Sequence, residues 1–447
     1  MKKKLLLLFF FSLVSFSVPE KKWAAESLQV AIDSAKEGAV LTLADHTYKG
    51  NIVITKKIEI IGSAHTVIQG DGNGNVISIK APHVKLSHLT VTHSSMNRNS
   101  AEEYAGIKIY SNGNTIDHIT ISDCFHGIYL SQAHHNTISF NNINGMGNGE
   151  IAAQGNGLHV YYANNNTLTH NRIEGTRDGM FFEYANHNSI IANTISGTRY
   201  GLHYMYSDAN DFEKNVFTMN MGGAAVMNSN SIRMKNNQFV FNYGNRSFGL
   251  LLLQANHINI EDNLFYLNER GLYIDQSTGN IIRHNRIIQN QIGIELWASS
   301  SQQLFTLNRI SENTIPAVTL GGKGTDNSWS LHGKGNDWGS TFPLPDLNQN
   351  GIGDFPITYR SSLHQLMEGQ ELTPLFLKSP AIKIYEKINA LLQKEDIMFT
   401  DPHPLVTGKG NSIPALFLVC TALFAAVILL KGRQWLCIIF GKNGRNR

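Results

Sequence analysis

The chain is poor in the features that mark disulfide-stabilised, zinc-finger and nucleic-acid-binding proteins. Three cysteines in 447 residues, none in a Cys-x-x-Cys pair, exclude a disulfide framework and a cysteine-based zinc site. Charged residues are 16% of the chain and the net charge is +3. Lysine and arginine are scattered, without basic blocks interleaved with aromatics, so nucleic acid is not an expected partner.

Two long apolar runs lie near the ends of the chain. Residues 1–18 begin Met-Lys-Lys-Lys and continue with an apolar run, the pattern of a signal peptide. Residues 413–430 contain no charge, and as a helix they would span about 27 Å, close to a bilayer core of roughly 30 Å. The basic tail 431–447 is expected in the cytoplasm. We therefore predict a periplasmic protein anchored in the inner membrane.

What the chain has in quantity is a repeat. Eight glycines follow one another at spacings of 30, 22, 22, 22, 26, 22 and 22 residues, and eight Asn-x-Ile or Asn-x-Phe triplets share this period. Two patterns with one period are typical of a solenoid. The longer spacings indicate insertions of 8 residues between Ile143 and Gly157 and of 4 between Phe239 and Gly249. The glycines are Gly127, Gly157, Gly179, Gly201, Gly223, Gly249, Gly271 and Gly293.

The residues after each glycine define an inside and an outside. At one and three positions past the glycine, all sixteen residues are apolar or aromatic, as inward positions of a strand would be. Paired-helix repeats need about 33 residues or more, whereas asparagine suits corners and stacked amide ladders. The predicted fold class is all-β, a right-handed parallel β-helix with about 22 residues per coil.

The remaining segments are predicted to cap the solenoid. An amphipathic helix with Leu28, Ala31, Ile32 and Ala35 on one face would close its open end. A second helix is predicted to begin after the N-cap Ser379, with a buried stripe of Ala381, Ile384, Ile388, Leu391 and Leu392. The predicted divisions are 24–105 for the cap and irregular first coils, 106–330 for regular coils, 331–378 for a post-solenoid segment, and 379–412 for the helix and a linker.

The post-solenoid segment contains a loop with EF-hand-like spacing. Side-chain oxygens of Asp346, Asn348, Asn350 and Asp354, with the backbone carbonyl of Ile352, suit Ca²⁺. The final glutamate of such a loop is missing. The alternative is an asparagine-rich turn without metal.

Polysaccharide-active enzymes on β-helices need clustered carboxylates. Asp275 and Glu295 are diagonal neighbours on one predicted face, with Trp297 available to stack on a sugar. A polar outer face is the favoured interpretation of this pair. Asp178 precedes a strand without an acidic neighbour in its column, and Asp401 is expected in the linker, far from any groove.

An outward stripe of histidine, methionine and aromatic residues is the strongest site candidate. Imidazole and thioether ligands suit copper, whereas an apolar patch is typical of a partner surface. A third interpretation is core covered by a loop. The stripe comprises His159, Tyr161, Phe181, Glu183, His203, Met205 and Met227.

Several segments together resemble NosD, the periplasmic β-helix family of nitrous oxide reductase maturation. The resemblance is carried by "AIDSAKEG", the Asn/Gly coils, "NDW" with "DLNQNGIGDFP", and the later "LKSPAIKIYE" and "DPHPL". It implies work with an ABC transporter ATPase and permease, a copper-delivering lipoprotein and nitrous oxide reductase itself. The predicted membrane helix is a departure from soluble members.

We therefore predict a non-enzymatic accessory protein for the copper–sulfide centre of that reductase, with copper bound transiently and calcium in a structural role. The alternatives are a polysaccharide lyase, hydrolase or epimerase, and a passive structural solenoid.

Overall fold

The computed structural model describes residues 28–406, except 147–149, 245, 325, 343 and 371. The predicted signal peptide (1–18), membrane helix (413–430) and basic tail (431–447) lie outside these residues. The described chain begins with helix α1 (Leu28–Ser34), in which Leu28, Ala31 and Ile32 are buried, as predicted for a cap. The Gln29 side chain accepts a hydrogen bond of 2.7 Å from the backbone of Val53, which ties this helix to the first coil.

The strands are short because each coil turns three times. The first coils contain β1 (Val40–Thr42), β2 (Thr47–Lys49), β3 (Ile52–Ile54), β4 (Glu59–Ile61), β5 (Val67–Gln69), β6 (Ile77–Ile79), β7 (Lys85–Thr92), β8 (Ala105–Ile109), β9 (Thr115–Ser122), β10 (His126–Ser131), β11 (Thr137–Ser139) and β12 (Asn142–Asn144).

A short 3₁₀ helix, Ile151–Ala153, forms part of the predicted eight-residue insertion. After it come β13 (Leu158–Tyr161), β14 (Thr167–Thr169), β15 (Arg172–Glu174), β16 (Asp178–Glu183), β17 (Ser189–Ile191), β18 (Thr194–Ser196), β19 (Tyr200–Met205), β20 (Asp211–Glu213), β21 (Val216–Thr218), β22 (Gly222–Met227), β23 (Arg233–Lys235) and β24 (Gln238–Val240).

The last coils and the C-terminal cap complete the described chain. They contain β25 (Phe248–Leu253), β26 (Asn259–Glu261), β27 (Leu264–Tyr266), β28 (Arg270–Asp275), β29 (Ile281–Arg283), β30 (Arg286–Ile288), β31 (Ile292–Trp297), β32 (Leu304–Thr306), β33 (Arg309–Ser311), β34 (Ile315–Leu320), β35 (Ile357–Ser361), α2 (Leu363–Gly369), α3 (Thr373–Phe376), α4 (Pro380–Leu391) and β36 (Asp396–Asp401).

These strands form a parallel β-helix, as predicted. One wall is a 12-stranded parallel sheet that runs from β3 to β34, and the other walls belong to a 22-stranded sheet. Register follows the sequence period, since Leu202 pairs with Met180 on one side and with Ala224 on the other. Coils with this pairing begin at Val40, ahead of the boundary predicted at residue 106, because β1–β9 already join the same sheets.

The interior combines apolar columns with asparagine ladders. Asn193 donates from its side chain to Asn215 at 3.0 Å, and Asn215 donates in the same way to Asn237 at 3.0 Å. The glycine column is required by close packing, since a Cβ at Gly201 would lie 2.6 Å from the Gly223 carbonyl oxygen. Both patterns read from the sequence therefore have a structural cause.

The C-terminal cap corrects two predictions. Asp401 does not lie in a linker: it ends β36, is fully buried, and accepts hydrogen bonds from Asn336 at 2.8 Å and from the Trp338 ring nitrogen at 2.9 Å. It thereby terminates the asparagine ladder, and its burial raises its pKa. The predicted buried stripe of α4 is wrong, because Ala381, Ile384, Ile388, Leu391 and Leu392 are all exposed.

Candidate functional site

The predicted stripe lies on the outer face of the 12-stranded sheet. His159 pairs in register with Phe181, and Phe181 with His203, while Met205 pairs with Met227. His159 is only 2% exposed, so the interpretation of the stripe as an exposed patch is wrong at that position. The rings of Tyr129 and Phe181 lie against it, with centroids 4.3 and 4.9 Å from that of His159.

His159 belongs to a cluster with the buried His126 and the half-buried Glu103. Their ligand-type oxygen and nitrogen atoms all lie within 4.8 Å of one another. His126 begins β10, His159 lies on β13, and Glu103 lies in the segment before β8. Tyr129 fixes the carboxylate by donating a hydrogen bond of 2.9 Å to its Oε2 atom. We name Glu103, His126 and His159 the imidazole cluster.

Both imidazoles are held neutral. Burial, followed by the nearby charges of Lys108 and Arg177, lowers the pKa of His126 to about 3. Burial and the neighbouring His126 ring lower the pKa of His159 well below its ordinary value. Within the described part of the chain, neither nitrogen of His159 nor Nε2 of His126 has a hydrogen-bond partner. An unpaired buried polar group costs about 1–3 kcal/mol, so these nitrogens call for an explanation.

A metal ion would supply the missing partner. Neutral imidazole and carboxylate groups bind Cu²⁺, Zn²⁺ and Fe²⁺, and Cu²⁺ binds tightest in the general order of affinities. Asn156 donates its backbone N–H to Nδ1 of His126 at 2.9 Å, which leaves the ring proton on Nε2. Metal binding at Nε2 therefore requires His126 to lose this proton or the Asn156 bond to break.

The next two coils hold an ion-paired cluster. The Arg199 guanidinium donates two hydrogen bonds to Asp178, at 2.8 and 2.6 Å, and Nδ1 of His203 lies 3.1 Å from the same carboxylate. Burial alone would raise the pKa of Asp178, but these contacts lower it below its ordinary value. Asp178 is thus the partner of His203, a pairing that the sequence analysis missed.

The predicted stripe divides here into two parts. The Phe181 ring separates the two histidines, with ring centroids 4.9 Å from His159 and 4.7 Å from His203. Met205 and Met227 are half-buried, and Met227 packs against an apolar cluster of Ala225, Phe248 and Leu251. Of the other predicted stripe residues, Glu183 has a raised pKa through burial and the nearby Glu103 carboxylate, and Tyr161 contacts Tyr162 edge-to-face.

The carboxylates near the last coils also form hydrogen bonds and ion pairs with neighbouring side chains. Glu295 is 2% exposed and accepts a hydrogen bond of 2.6 Å from Arg270, which in turn donates to Glu269 at 2.7 Å. Asp275 accepts a hydrogen bond from Ser299. Arg270, Asp275 and Glu295 line a groove of about 830 Å³ beside Trp297. Glu295 is therefore committed to an ion pair and does not form a free catalytic pair with Asp275.

Two known protein families match parts of the chain. Residues 145–342 match the family described as periplasmic copper-binding protein (NosD), and residues 47–180 match the right-handed β-helix region. The chain is a NosD-like β-helix protein. The right-handed fold that the sequence predicted is thereby confirmed. No curated protein sequence matches this NosD-like chain.

Solved structures share the fold of the NosD-like protein at low sequence identity. The mannuronan C-5 epimerase AlgE6 A-module of Azotobacter vinelandii is 13% identical with a TM-score of 0.58, covering 70% of this chain and 94% of the module. The surface adhesin PfbA of Streptococcus pneumoniae is 13% identical with a TM-score of 0.52, covering 69% and 90%. An epimerase and an adhesin on one architecture show the fold alone.

The loop with EF-hand-like spacing is a closed turn in this NosD-like protein. Asp346 accepts a backbone hydrogen bond from Gly351 at 2.9 Å, Asn350 accepts one from Ile352 at 2.8 Å, and Asp354 accepts one from Leu347 at 2.8 Å. The side chain of Asn348 also accepts one, from Asn350. These contacts agree with the turn interpretation, and calcium binding stays a prediction.

One positional rule would have revealed the clusters from the sequence. His126, Asp178 and Arg270 each stand directly before a repeat glycine, and each contacts the residue two past the glycine of the next coil. Those contacts are His159, His203 and Glu295. Comparing the residue before each repeat glycine with the residue two past the next repeat glycine therefore identifies three pairs on adjacent coils. Glu103 has no such signal, because it lies in an irregular segment.

Proposed function

We propose that this protein is a periplasmic accessory protein that binds copper as cargo for the copper–sulfide centre of nitrous oxide reductase. The NosD family description supports the copper and the compartment. The observation that carries the proposal is the imidazole cluster, in which buried neutral rings present nitrogens without partners. Glu103, His126 and His159 would hold the ion.

The charge distribution favours this role over catalysis. The buried acids Asp178, Glu269 and Glu295 are each paired with an arginine. A general acid or base must be free to exchange a proton near neutral pH, which a carboxylate locked to a guanidinium is not.

The expected partners are those of the family resemblance: an ABC transporter ATPase and permease, a copper-delivering lipoprotein, and the reductase. The half-buried methionines Met205 and Met227, beside Phe248 and Leu253, offer an apolar surface for one of them. This surface lies on the same sheet as the imidazole cluster, so a docked partner would be close to the cargo.

Copper binding by the purified chain tests the proposal. Titration with Cu²⁺ should give one tight site that is lost in His126→Phe and His159→Phe and retained in His187→Phe, a control at an exposed histidine. Binding that survives both cluster substitutions would exclude this site. In a deletion strain, reductase should be exported without its catalytic copper centre, and a fully loaded enzyme would exclude the role in maturation.

A polysaccharide-active enzyme is the second candidate. It is favoured by His203, whose ring is oriented by Asp178 beside Tyr200 on the groove. Incubation with uronate polymers should then produce unsaturated or epimerised sugars, and His203→Asn should abolish them. An absence of turnover on such a panel would remove this candidate.

A further inference from the structure

The C-terminal cap exposes a large apolar surface. Seven large apolar side chains between residues 372 and 392 are more than half exposed. Contiguous apolar patches of this kind on a soluble surface mark a binding site. The residues are Leu372, Leu375, Phe376, Ile384, Ile388, Leu391 and Leu392.

Helix α4 presents three different faces. Ile382 and Tyr385 pack against the core, and Glu386 accepts a hydrogen bond of 2.9 Å from Ser361, so one face is attached to the last coil. The exposed apolar residues occupy a second face, at spacings of three and four residues. The third face carries the exposed Lys383 and Lys387 beside the apolar one, and the exposed Lys394 follows just past the end of the helix, so that we call these three residues the lysine row.

We propose that this apolar face of α4 lies in the interfacial layer of an anionic bilayer, with the lysine row at the lipid headgroups. An amphipathic helix with an apolar face bordered by lysines is the composition that binds such a surface in the plane of the membrane. Each lysine near anionic lipid adds a favourable electrostatic contribution. The inference is independent of copper binding.

The course of the chain selects lipid as the occupant. Leu405 is hydrogen-bonded to Asn336 at the C-terminal end of the solenoid, the end on which α2 and β36 contact β34. Only residues 407–412 separate the described chain from the uncharged run 413–430. Six residues span at most about 20 Å, so the predicted membrane segment brings this end of the solenoid near the bilayer.

Site-directed spin labelling of the full-length chain in vesicles of phosphatidylglycerol and phosphatidylcholine tests the orientation. With Cys420→Ser and Cys437→Ser, a nitroxide at Leu391→Cys should collide more often with oxygen, which concentrates in lipid, than with a water-soluble nickel chelate. A label at Lys36→Cys, on the exposed opposite end, should show the reverse order. Replacing Lys383, Lys387 and Lys394 with glutamine should reduce the oxygen preference at position 391.

Two outcomes would overturn the proposal. A label at position 391 that is freely accessible to the nickel chelate shows a solvated face. A label shielded from both reagents shows a protein cover, and dependence of that shielding on protein concentration would identify a second copy. Shielding that vanishes when residues 413–430 are deleted would identify the chain's own apolar segment as the cover.

Discussion

Two buried polar clusters occupy equivalent positions on the outer face, six coils apart, and they differ in one respect. In the Arg270–Glu295 pair every charge meets an opposite charge at hydrogen-bond distance. In the His126–His159 pair, three ring nitrogens have no hydrogen-bond partner among the described residues. Geometry is shared, since both pairs join the residue before a glycine to a residue on the next coil. Residue chemistry therefore separates the two pairs, since one is an ion pair and the other presents three ring nitrogens without hydrogen-bond partners.

The largest effect is expected from breaking the paired cluster. Arg270→Met leaves Glu269 and Glu295 without their partner in a buried site, which should lower the free energy of unfolding by about 3–5 kcal/mol. Chemical denaturation followed by circular dichroism measures it. Copper affinity of the folded variant should be unchanged. A variant as stable as the parent would show that the ion pair is not a clamp.

The pH dependence of the free energy of unfolding should also distinguish the two clusters. The folded-state pKa of His126 is about 3 and that of His159 is also depressed, whereas histidine in an unfolded chain titrates near 6.5. The unfolded state therefore binds more protons as pH falls below about 6.5, and stability is lost on acidification. The extra slope should approach about 1.4 kcal/mol per pH unit for each histidine.

The control for that slope is the double variant His126→Phe with His159→Phe. It should lose the extra dependence between about pH 6.5 and pH 3 while the carboxylate contribution remains. Identical curves for both proteins would mean that the histidines titrate normally in the folded state.

A smaller effect of opposite sign is expected from replacing one ring of the imidazole cluster. His159→Phe removes two unpaired nitrogens and keeps a ring of similar shape, so the metal-free protein should be unchanged or up to about 1 kcal/mol more stable. Thermal and denaturant unfolding of the metal-free chain would show this. A loss of stability comparable to that of Arg270→Met would make the imidazole cluster structural.

The sequence was sufficient for the architecture because each coil repeats the same physical requirement. Each regular coil needs a glycine at the position equivalent to Gly201 and an amide at the position equivalent to Asn193. The period of these two residue types can therefore be read directly from the sequence. The clusters depend on contacts between residues 25 or 33 positions apart, in columns that the apolar pattern does not report. The exposure of α4 could not be predicted either. The spacing of its apolar residues identifies an apolar side of the helix, but it does not show whether that side packs against the rest of the protein.

A folding effect of intermediate size is expected in the apolar zone between the clusters. Met205→Asp with Met227→Asp changes two half-buried side chains, so the coils should still fold, with a loss of about 1–2 kcal/mol. Reductase maturation should nevertheless be abolished if a partner docks there. Maturation at the parental level would exclude the surface, and global unfolding would show that the methionines belong to the core.

X-ray absorption spectroscopy of the copper-loaded chain tests the central claim most directly. Loading with one equivalent of Cu²⁺ should give a first coordination sphere of nitrogen and oxygen, with the multiple-scattering pattern of two imidazole rings, from His126, His159 and Glu103. If the spectrum of His159→Phe lacks the scattering contribution of one imidazole ring, that ligand is assigned to His159. A sulfur scatterer would contradict the account, since it would place the ion at Met205 and Met227 with His203.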